Sequence, residues 1–307
     1  MCNGSIMDKL VSFALPLMLS GILQLMFNAV DIIVVGRFSG SEALAAVGST
    51  TALINVFTNL FIGISLGANV LAARFFAAGR KEEMSETVHT SITLALISGI
   101  LMAFVGLVFS KGALELMGTP EDVIGLSTLY MRIYFMGMPF FMLYNYGAAI
   151  LRAVGDTKRP LYFLIIAGVI NAGLNMVLVI VFGLGVAGVG IATVFSQMVS
   201  CVLVLTCLCR TEGSYKLSFS KLSMKGYYLK QIFQVGIPAG IQSTVINFSN
   251  ALLQSSVNSF GSTAMAGYTA ANNILGFLYV SINSVTQACM SSVSYTHLRA
   301  HETSAHL

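Results

Sequence analysis

Residues 10–35 read LVSFALPLMLSGILQLMFNAVDIIVV and contain a single acid, Asp31. At about 1.5 Å per residue, a helix of this length exceeds the ~30 Å hydrocarbon core of a bilayer. An ionised Asp near the centre of a membrane costs about 2.5–3.5 kcal/mol on insertion scales. Ser20, Gln24 and Asn28 precede Asp31 at helical spacing on one face. We predict a membrane helix whose polar stripe faces protein or a hydrated cavity, with Asp31 either functional or held by a fixed structural partner.

The composition of the whole chain is that of a polytopic membrane protein. Of 307 residues, 56% are hydrophobic and 9% are charged, whereas soluble domains carry about 25% charged residues. Apolar segments long enough for membrane helices cover residues 10–36, 50–73, 86–110, 125–150, 160–182, 186–209, 231–258 and 267–292. The predicted fold class is therefore all-α and polytopic, and the lipid bilayer is its first partner.

Basic residues are distributed unevenly among the predicted loops. Twelve Lys and Arg residues fall on the side of the N-terminus, and only Arg37 and Lys111 fall on the other side. This bias predicts a cytoplasmic N-terminus in a bacterial plasma membrane. The net charge of +4 is spread over short loops, which argues against nucleic-acid binding.

The polar, basic stretch 210–230 divides the chain into two parts. A shift of 222 residues places Pro16 on Pro238 and Asn28 on Asn250, which predicts a parallel repeat of the kind found in transporters. We predict an N-lobe of six helices over 1–209, a cytoplasmic linker over 210–230 and a partial C-lobe over 231–292. The linker either lies on an anionic membrane surface or is a solvated loop.

Polar side chains recur on one face of several predicted spans. They favour a central hydrated cavity, although each amide alone is better explained as a contact between helices. The predicted cavity-lining residues are Gln24, Asn28, Asn55, Asn59, Gln197, Asn250 and Gln254. Gly63 and Gly67 form a small-xxx-small pattern that permits a close helix crossing. Pro16 interrupts the first span and predicts a bending point there.

Chemistry-bearing motifs are missing from the sequence. There is no P-loop, GxSxG or HExxH pattern, so an enzyme is not predicted, nor is a cofactor. Residues 293–307 break every pattern and hold three of the four histidines. A His-rich metal-binding tail is one reading, but a segment foreign to the native protein fits better.

The chain resembles the multidrug and toxic compound extrusion (MATE) transporters over 1–292. The resemblance rests on the order of four stretches: FALPLMLSGILQLMFNAVDIIVVGRFSG (13–40), NLFIGISLGANVLAARFFAAG (59–79), AILRAVGDTKRP (149–160) and NAGLNMVLVIVFGLGVAGVGIAT (171–193). It implies twelve helices in two six-helix lobes, of which this chain contains about eight. It also implies a monomer that exports amphiphilic or cationic compounds in exchange for H⁺ or Na⁺.

The resemblance places a cation or proton site at Asp31, Asn171, Asn175 and Thr193, and a helix bend at Pro16. Asn175 departs from the family pattern, which has Asp there, so the site loses one of its two carboxylates. This loss weakens the case for Na⁺ and leaves Asp31 able to carry a proton. The alternatives are a lipid-linked saccharide flippase of the same superfamily, a non-transporting membrane scaffold, or a truncated fragment without activity. Flippases of this class line the cavity with several basic residues, and Arg132 within the fourth span is the only candidate here, which argues against a flippase. Snorkelling of Arg132 to the outer interface explains it better.

Overall fold

The computed structural model describes residues 6–116, 119, 121–258, 275–276, 278–286 and 289. Its helices are α1 (Ile6–Phe38), α2 (Gly40–Ala77), α3 (Lys81–Leu116), α4 (Glu121–Met136), α5 (Met138–Ala153), α6 (Lys158–Asn175), α7 (Gly185–Arg210) and α8 (Gly226–Asn258). The described residues contain no strand, and the predicted all-α polytopic fold is confirmed. α1, α2, α3, α7 and the helical run from Lys158 to Val181 are long and apolar enough to cross a membrane.

The helices extend beyond the apolar runs that predicted them. α2 begins at Gly40 rather than at residue 50, and only Ser39 separates it from α1. Gly40 has a φ of +89°, which a residue without a Cβ adopts at little cost and which lets the chain reverse sharply. Glu42 in the first turn of α2 and Arg74 in the last complement the helix dipole. The predicted loop is therefore mostly helix.

The predicted fourth span is broken into α4 and α5 at Gly137. Pro139 lies in the first turn of α5, where its missing N–H leaves no hydrogen bond unmade. α6 also changes geometry, since Met176–Val181 continues it as a π-helical segment. Such segments often occur at functional sites, and this one starts directly after Asn175.

α2 and α8 cross at very close range through two glycine pairs. Gly63 and Gly67 of α2 face Gly236 and Gly240 of α8. A Cβ added to Gly236 would lie 2.6 Å from the Cα of Ile64, and one added to Gly240 would lie 2.6 Å from the carbonyl oxygen of Leu60. The two backbones are thus in direct contact, which only glycine permits. The predicted close crossing is present, and its partner is the helix that contains Pro238.

The segment Thr211–Lys225 between α7 and α8 packs against the protein. Leu217 is 2% exposed. The Ser218 backbone N–H donates to Nε2 of His89 on α3 at 3.1 Å, so Nδ1 of this histidine carries the proton and donates to the Ser85 carbonyl. The segment is thus docked on the protein, and whether it also lies on a membrane surface or in solvent stays a prediction.

An ion pair at the start of α8 also holds the segment in place. Nζ of Lys225 lies 2.7 Å from Oε1 of Glu86 on α3. The hydrogen bond from Lys225 to Glu86 raises the pKa of Lys225. The connection between α7 and α8 is therefore tied to α3 by a charged and a neutral contact.

Candidate functional site

Asp31 lies in the last third of α1, on the side that packs against α6. Its side chain is buried, with 8% of its surface exposed. The polar face predicted for α1 therefore faces the protein interior at Asp31, the residue whose exposure to lipid would cost the most free energy. A buried carboxylate needs hydrogen-bond donors or a positive charge, and the partners of Asp31 come from α6 and α7.

Four polar side chains form a continuous network at this point. Nδ2 of Asn175 donates to Oδ1 of Asp31 and, at 3.1 Å, to Oδ1 of Asn171. Nδ2 of Asn171 lies 3.5 Å from Oγ1 of Thr193, a hydroxyl that donates to the Val189 carbonyl at 2.9 Å. The structure thus brings together Asp31, Asn171, Asn175 and Thr193, the four residues predicted for the cation or proton site.

The network leaves one buried oxygen, Oδ1 of Asn175, without a hydrogen-bond donor among the described residues. Asn175 itself is fully buried, and an unpartnered acceptor in such a place is costly. The network therefore has room to accept one more hydrogen-bond donor or a small cation.

Asp31 borders a cavity of about 350 Å³ lined by residues of α1, α2, α4, α5, α6 and α7, which we call the Asp31 cavity. Among the residues that line it, Asp31 carries the one formal charge. Its polar lining residues are Gln24, Asn28, Asn55, Thr58, Asn59, Tyr130, Tyr134, Tyr144, Asn145, Asn171, Thr193, Ser196, Gln197 and Ser200. The cavity is a polar compartment inside the helix bundle, with an acid in its wall.

A second cavity, of about 860 Å³, lies between α1, α2, α8 and the helical residues from 275 to 286 that the structure describes. Arg152, in the last turn of α5, is the charged residue among its described lining residues, and we call it the Arg152 cavity. Asn55, Asn59 and Ile62 line both cavities. One stretch of α2 is therefore a wall common to the two compartments.

Most of the predicted cavity residues reach a cavity. Gln24, Asn28 and Gln197 line the Asp31 cavity, and Asn55 and Asn59 line both. The side chains of Asn250 and Gln254 lie outside the described residues. Pro16 lies inside α1, and its carbonyl accepts a hydrogen bond from Ser20 at 2.8 Å; the bend remains a prediction.

Several lining residues were missed by the sequence analysis. Tyr130 and Tyr134, four residues apart on α4, share a helical face, but aromatic residues are too frequent in this chain to single them out. Asn145 was a detectable signal, as an amide within an apolar span. Arg152 lies just beyond the predicted fourth span, 125–150. Arg132 is exposed and lines neither cavity, which agrees with the interfacial position expected for it.

Comparisons with known proteins agree with this architecture. The MatE family model matches residues 16–177. The probable multidrug resistance protein YoeA of Bacillus subtilis (strain 168) is 34% identical over 283 residues, which are 89% of this chain and 61% of YoeA. The chain thus spans about three fifths of the length of this curated relative.

Solved structures share the fold at lower sequence identity. A MATE protein in the bent conformation is 24% identical with a TM-score of 0.88, over 96% of this chain and 66% of the solved one. An outward-facing conformation of a multidrug resistance MATE family transporter gives the same identity, TM-score and coverage. These likenesses show that the helices are arranged as in MATE proteins.

Proposed function

Since the chain belongs to the MatE family, we propose that it forms the Asp31-containing part of a secondary antiporter of the bacterial plasma membrane. In this proposal an amphiphilic organic compound leaves the cell in exchange for an ion held at Asp31. The relative YoeA is described as a probable multidrug resistance protein, which supports the export of organic compounds. The observation that carries the proposal is the buried Asp31 carboxylate in its amide and hydroxyl network.

A proton is the ion that best suits this network. Na⁺ is a hard cation that needs several oxygen ligands at once. Here the amide nitrogen of Asn175 already donates to oxygens of Asp31 and Asn171. A proton needs only the carboxylate itself, and its binding neutralises the single charge of the site. The replacement of the family's second acid by Asn175 therefore favours H⁺ over Na⁺.

Protonation changes what Asp31 requires from Asn175. An ionised carboxylate only accepts hydrogen bonds, whereas a protonated one also donates through its O–H group. The unpartnered Oδ1 of Asn175 is placed to accept from that group once the amide turns over. Each proton bound or released at α1 would thus rearrange a side chain of α6, at the point where α6 passes into its π-helical segment.

This rearrangement provides a route to alternating access. The affinity of a site for a ligand can bias a protein between two states only when the ligand binds them unequally. Asp31 and Pro16 are on the same helix, and bending of α1 at Pro16 would move the carboxylate relative to Asn171 and Asn175. Protonated and ionised Asp31 would then favour different bends of α1.

The test is to replace Asp31→Asn in the full-length protein and measure efflux of a fluorescent amphiphile from proteoliposomes. We expect efflux driven by a pH gradient to be lost because Asn cannot exchange a proton. Glu115→Gln is the matched control, since Glu115 is an exposed acid paired with Lys111. Efflux in Asp31→Asn equal to that of the control would overturn the proposal. A sodium gradient at fixed pH should drive no efflux in the unsubstituted protein.

A further inference from the structure

Arg152 occupies a different environment from the other arginines that the structure describes. Its side chain is partly buried, whereas Arg37, Arg74, Arg80, Arg132, Arg159 and Arg210 are all exposed. Arg80 and Arg159 form ion pairs with acids three residues away in sequence. For Arg152 the described residues provide no ion pair, and its side chain borders the 860 Å³ cavity. A guanidinium group with five donors in such a place is available to an anion.

The position of Arg152 is fixed by a contact between helices. Nδ2 of Asn69 on α2 donates to the Ala149 carbonyl of α5 at 2.7 Å. Ala149 lies three residues before Arg152, so this hydrogen bond ties α2 to the turn of α5 that holds the arginine. Asn69 is buried and also lines the Arg152 cavity. The helical turn that carries Arg152 is therefore held against α2 and does not belong to a surface loop.

Two amide side chains, from α2 and α8, add hydrogen-bond acceptors to the lining of the same cavity. Nδ2 of Asn59 on α2 donates to the Asn55 carbonyl at 2.7 Å, and Nδ2 of Asn247 on α8 donates to the Ser243 carbonyl at 2.8 Å. Each amide uses one of its two N–H groups on its own helix, which leaves its carbonyl oxygen able to accept from a ligand and its second N–H able to donate. Asn59 and Asn247 both line the cavity. The cavity thus offers acceptors on two walls and a cationic donor elsewhere.

Apolar side chains complete the lining of this cavity. Phe13 and Leu17 of α1, Ile246 of α8 and Leu275 all contribute to it. A ligand that satisfies the whole surface has an apolar body, hydrogen-bond donors such as hydroxyl or ammonium groups, and one acidic group.

We propose that Arg152 binds the acidic group of an amphiphilic substrate, a carboxylate, sulfonate or phosphate, in the cavity between α2 and α8. The inference rests on the proposed transport function and adds a substrate class to it. An acid-bearing substrate is repelled by Asp31 and attracted by Arg152, so ion and substrate do not compete for one carboxylate. Charge-assisted hydrogen bonds to a guanidinium fork are strong and specific for planar acids.

The test compares two probes that differ only in charge. Dansyl-labelled dodecanoic acid and its primary amide are titrated against the purified full-length protein in lipid nanodiscs of phosphatidylcholine. We expect Arg152→Gln to weaken binding of the acid about tenfold or more and to leave binding of the amide unchanged. Arg152→Lys should retain part of the preference for the acid, since it keeps the charge without the fork. Arg132→Gln, at an exposed arginine, should change neither affinity.

Two outcomes would overturn the inference. Equal losses for acid and amide in a monodisperse Arg152→Gln protein would give Arg152 a structural role only, and unchanged binding of the acid would remove it from the site. Phosphatidylglycerol added to the nanodiscs identifies the source of the acidic group: competition with the dansyl acid indicates a lipid headgroup, and no competition indicates a free amphiphile. Either result supports Arg152 as the anion-binding residue when Arg152→Gln weakens the acid alone.

Binding at equilibrium requires no ion gradient, so this test is independent of the proposed antiport. Suppose that Arg152→Gln loses binding of the acid alone and that Asp31→Asn keeps normal pH-driven efflux. The proposed coupling at Asp31 would then be wrong, and the arginine site would be retained. The reverse pattern would retain the antiporter and remove the arginine site.

Discussion

The Asp31 cavity and the Arg152 cavity are neighbours of opposite character. The first is small, at about 350 Å³, lies within the bundle of α1–α7 and has an acid in its wall. The second is larger, at about 860 Å³, lies between α2 and α8 and has a base in its wall. They share a wall of α2 that carries no formal charge, formed by Asn55, Asn59 and Ile62. If the two proposals above hold, ion and substrate are held in separate compartments, and this stretch of α2 is the wall between them.

The largest expected effect comes from a glycine at the crossing of α2 and α8, which lines the Arg152 cavity but not the Asp31 cavity. Gly63 lines the Arg152 cavity and contacts the backbone of α8. Gly63→Leu should force α2 and α8 apart, at a cost of about 1–3 kcal/mol or more for overpacking, and should abolish binding of the dansyl acid. The measurements are the thermal unfolding midpoint of the purified protein and the probe titration. Gly125→Leu is the control, since a Cβ added to Gly125 meets nothing within 4 Å.

A Gly63→Leu protein that unfolds and binds like the Gly125→Leu control would contradict the close crossing. The Asp31 network should survive the substitution because Gly63 does not line its cavity. If Gly63→Leu abolished pH-driven efflux while folding was unchanged, the crossing of α2 and α8 would instead influence ion coupling at Asp31.

A smaller effect is expected from a substitution that alters the Asp31 cavity alone. Asn175→Asp should return a second carboxylate beside Asp31 and replace the amide donor with oxygen ligands suited to Na⁺. We expect efflux to gain a dependence on a sodium gradient at fixed pH, with about a tenfold stimulation, while the affinity for the dansyl acid stays the same. The readout is efflux from proteoliposomes with Na⁺ or choline outside. If efflux by Asn175→Asp were the same with Na⁺ and with choline outside, residue 175 would not determine which ion drives transport.

The smallest expected effect concerns the shared wall. Asn59→Asp places a negative charge where both cavities meet and should weaken binding of the dansyl acid about three- to tenfold by repulsion. Asn145→Asp is the matched control because Asn145 lines only the Asp31 cavity. Equal effects of the two substitutions on the dansyl acid titration would mean that the cavities form one electrostatic compartment.

The residues around Asp31 were predictable because helical spacing alone brings them to one face. The stripe of Gln24 and Asn28 before Asp31, and the four-residue interval between Asn171 and Asn175, follow directly from helix geometry. Which helices these faces meet came only from the resemblance to a known family. The hydropathy of the segments was sufficient for the all-α polytopic fold, which is confirmed.

The Arg152 cavity could not be predicted in the same way. An arginine at the end of an apolar span is usually exposed, as Arg74 and Arg210 are. The hydropathy pattern predicts the same exposure for Arg152. What differs is a hydrogen bond from Asn69, on another helix, to the turn that holds Arg152. The docked segment between α7 and α8 similarly depends on His89, a single buried histidine. Contacts of this kind join residues far apart in sequence and leave no periodic pattern.

The glycine crossing between α2 and α8 also imposes an order on biosynthesis. Gly63 and Gly67 enter the membrane early, whereas Gly236 and Gly240 are made only after five further helices have been synthesised. During that interval the glycine face of α2 has no partner on α8, and lipid or a transient neighbour must cover it. Chain segments fold as they emerge, and long-range contacts form last. The glycine crossing beside the Arg152 cavity is therefore expected to form late in the assembly of this chain.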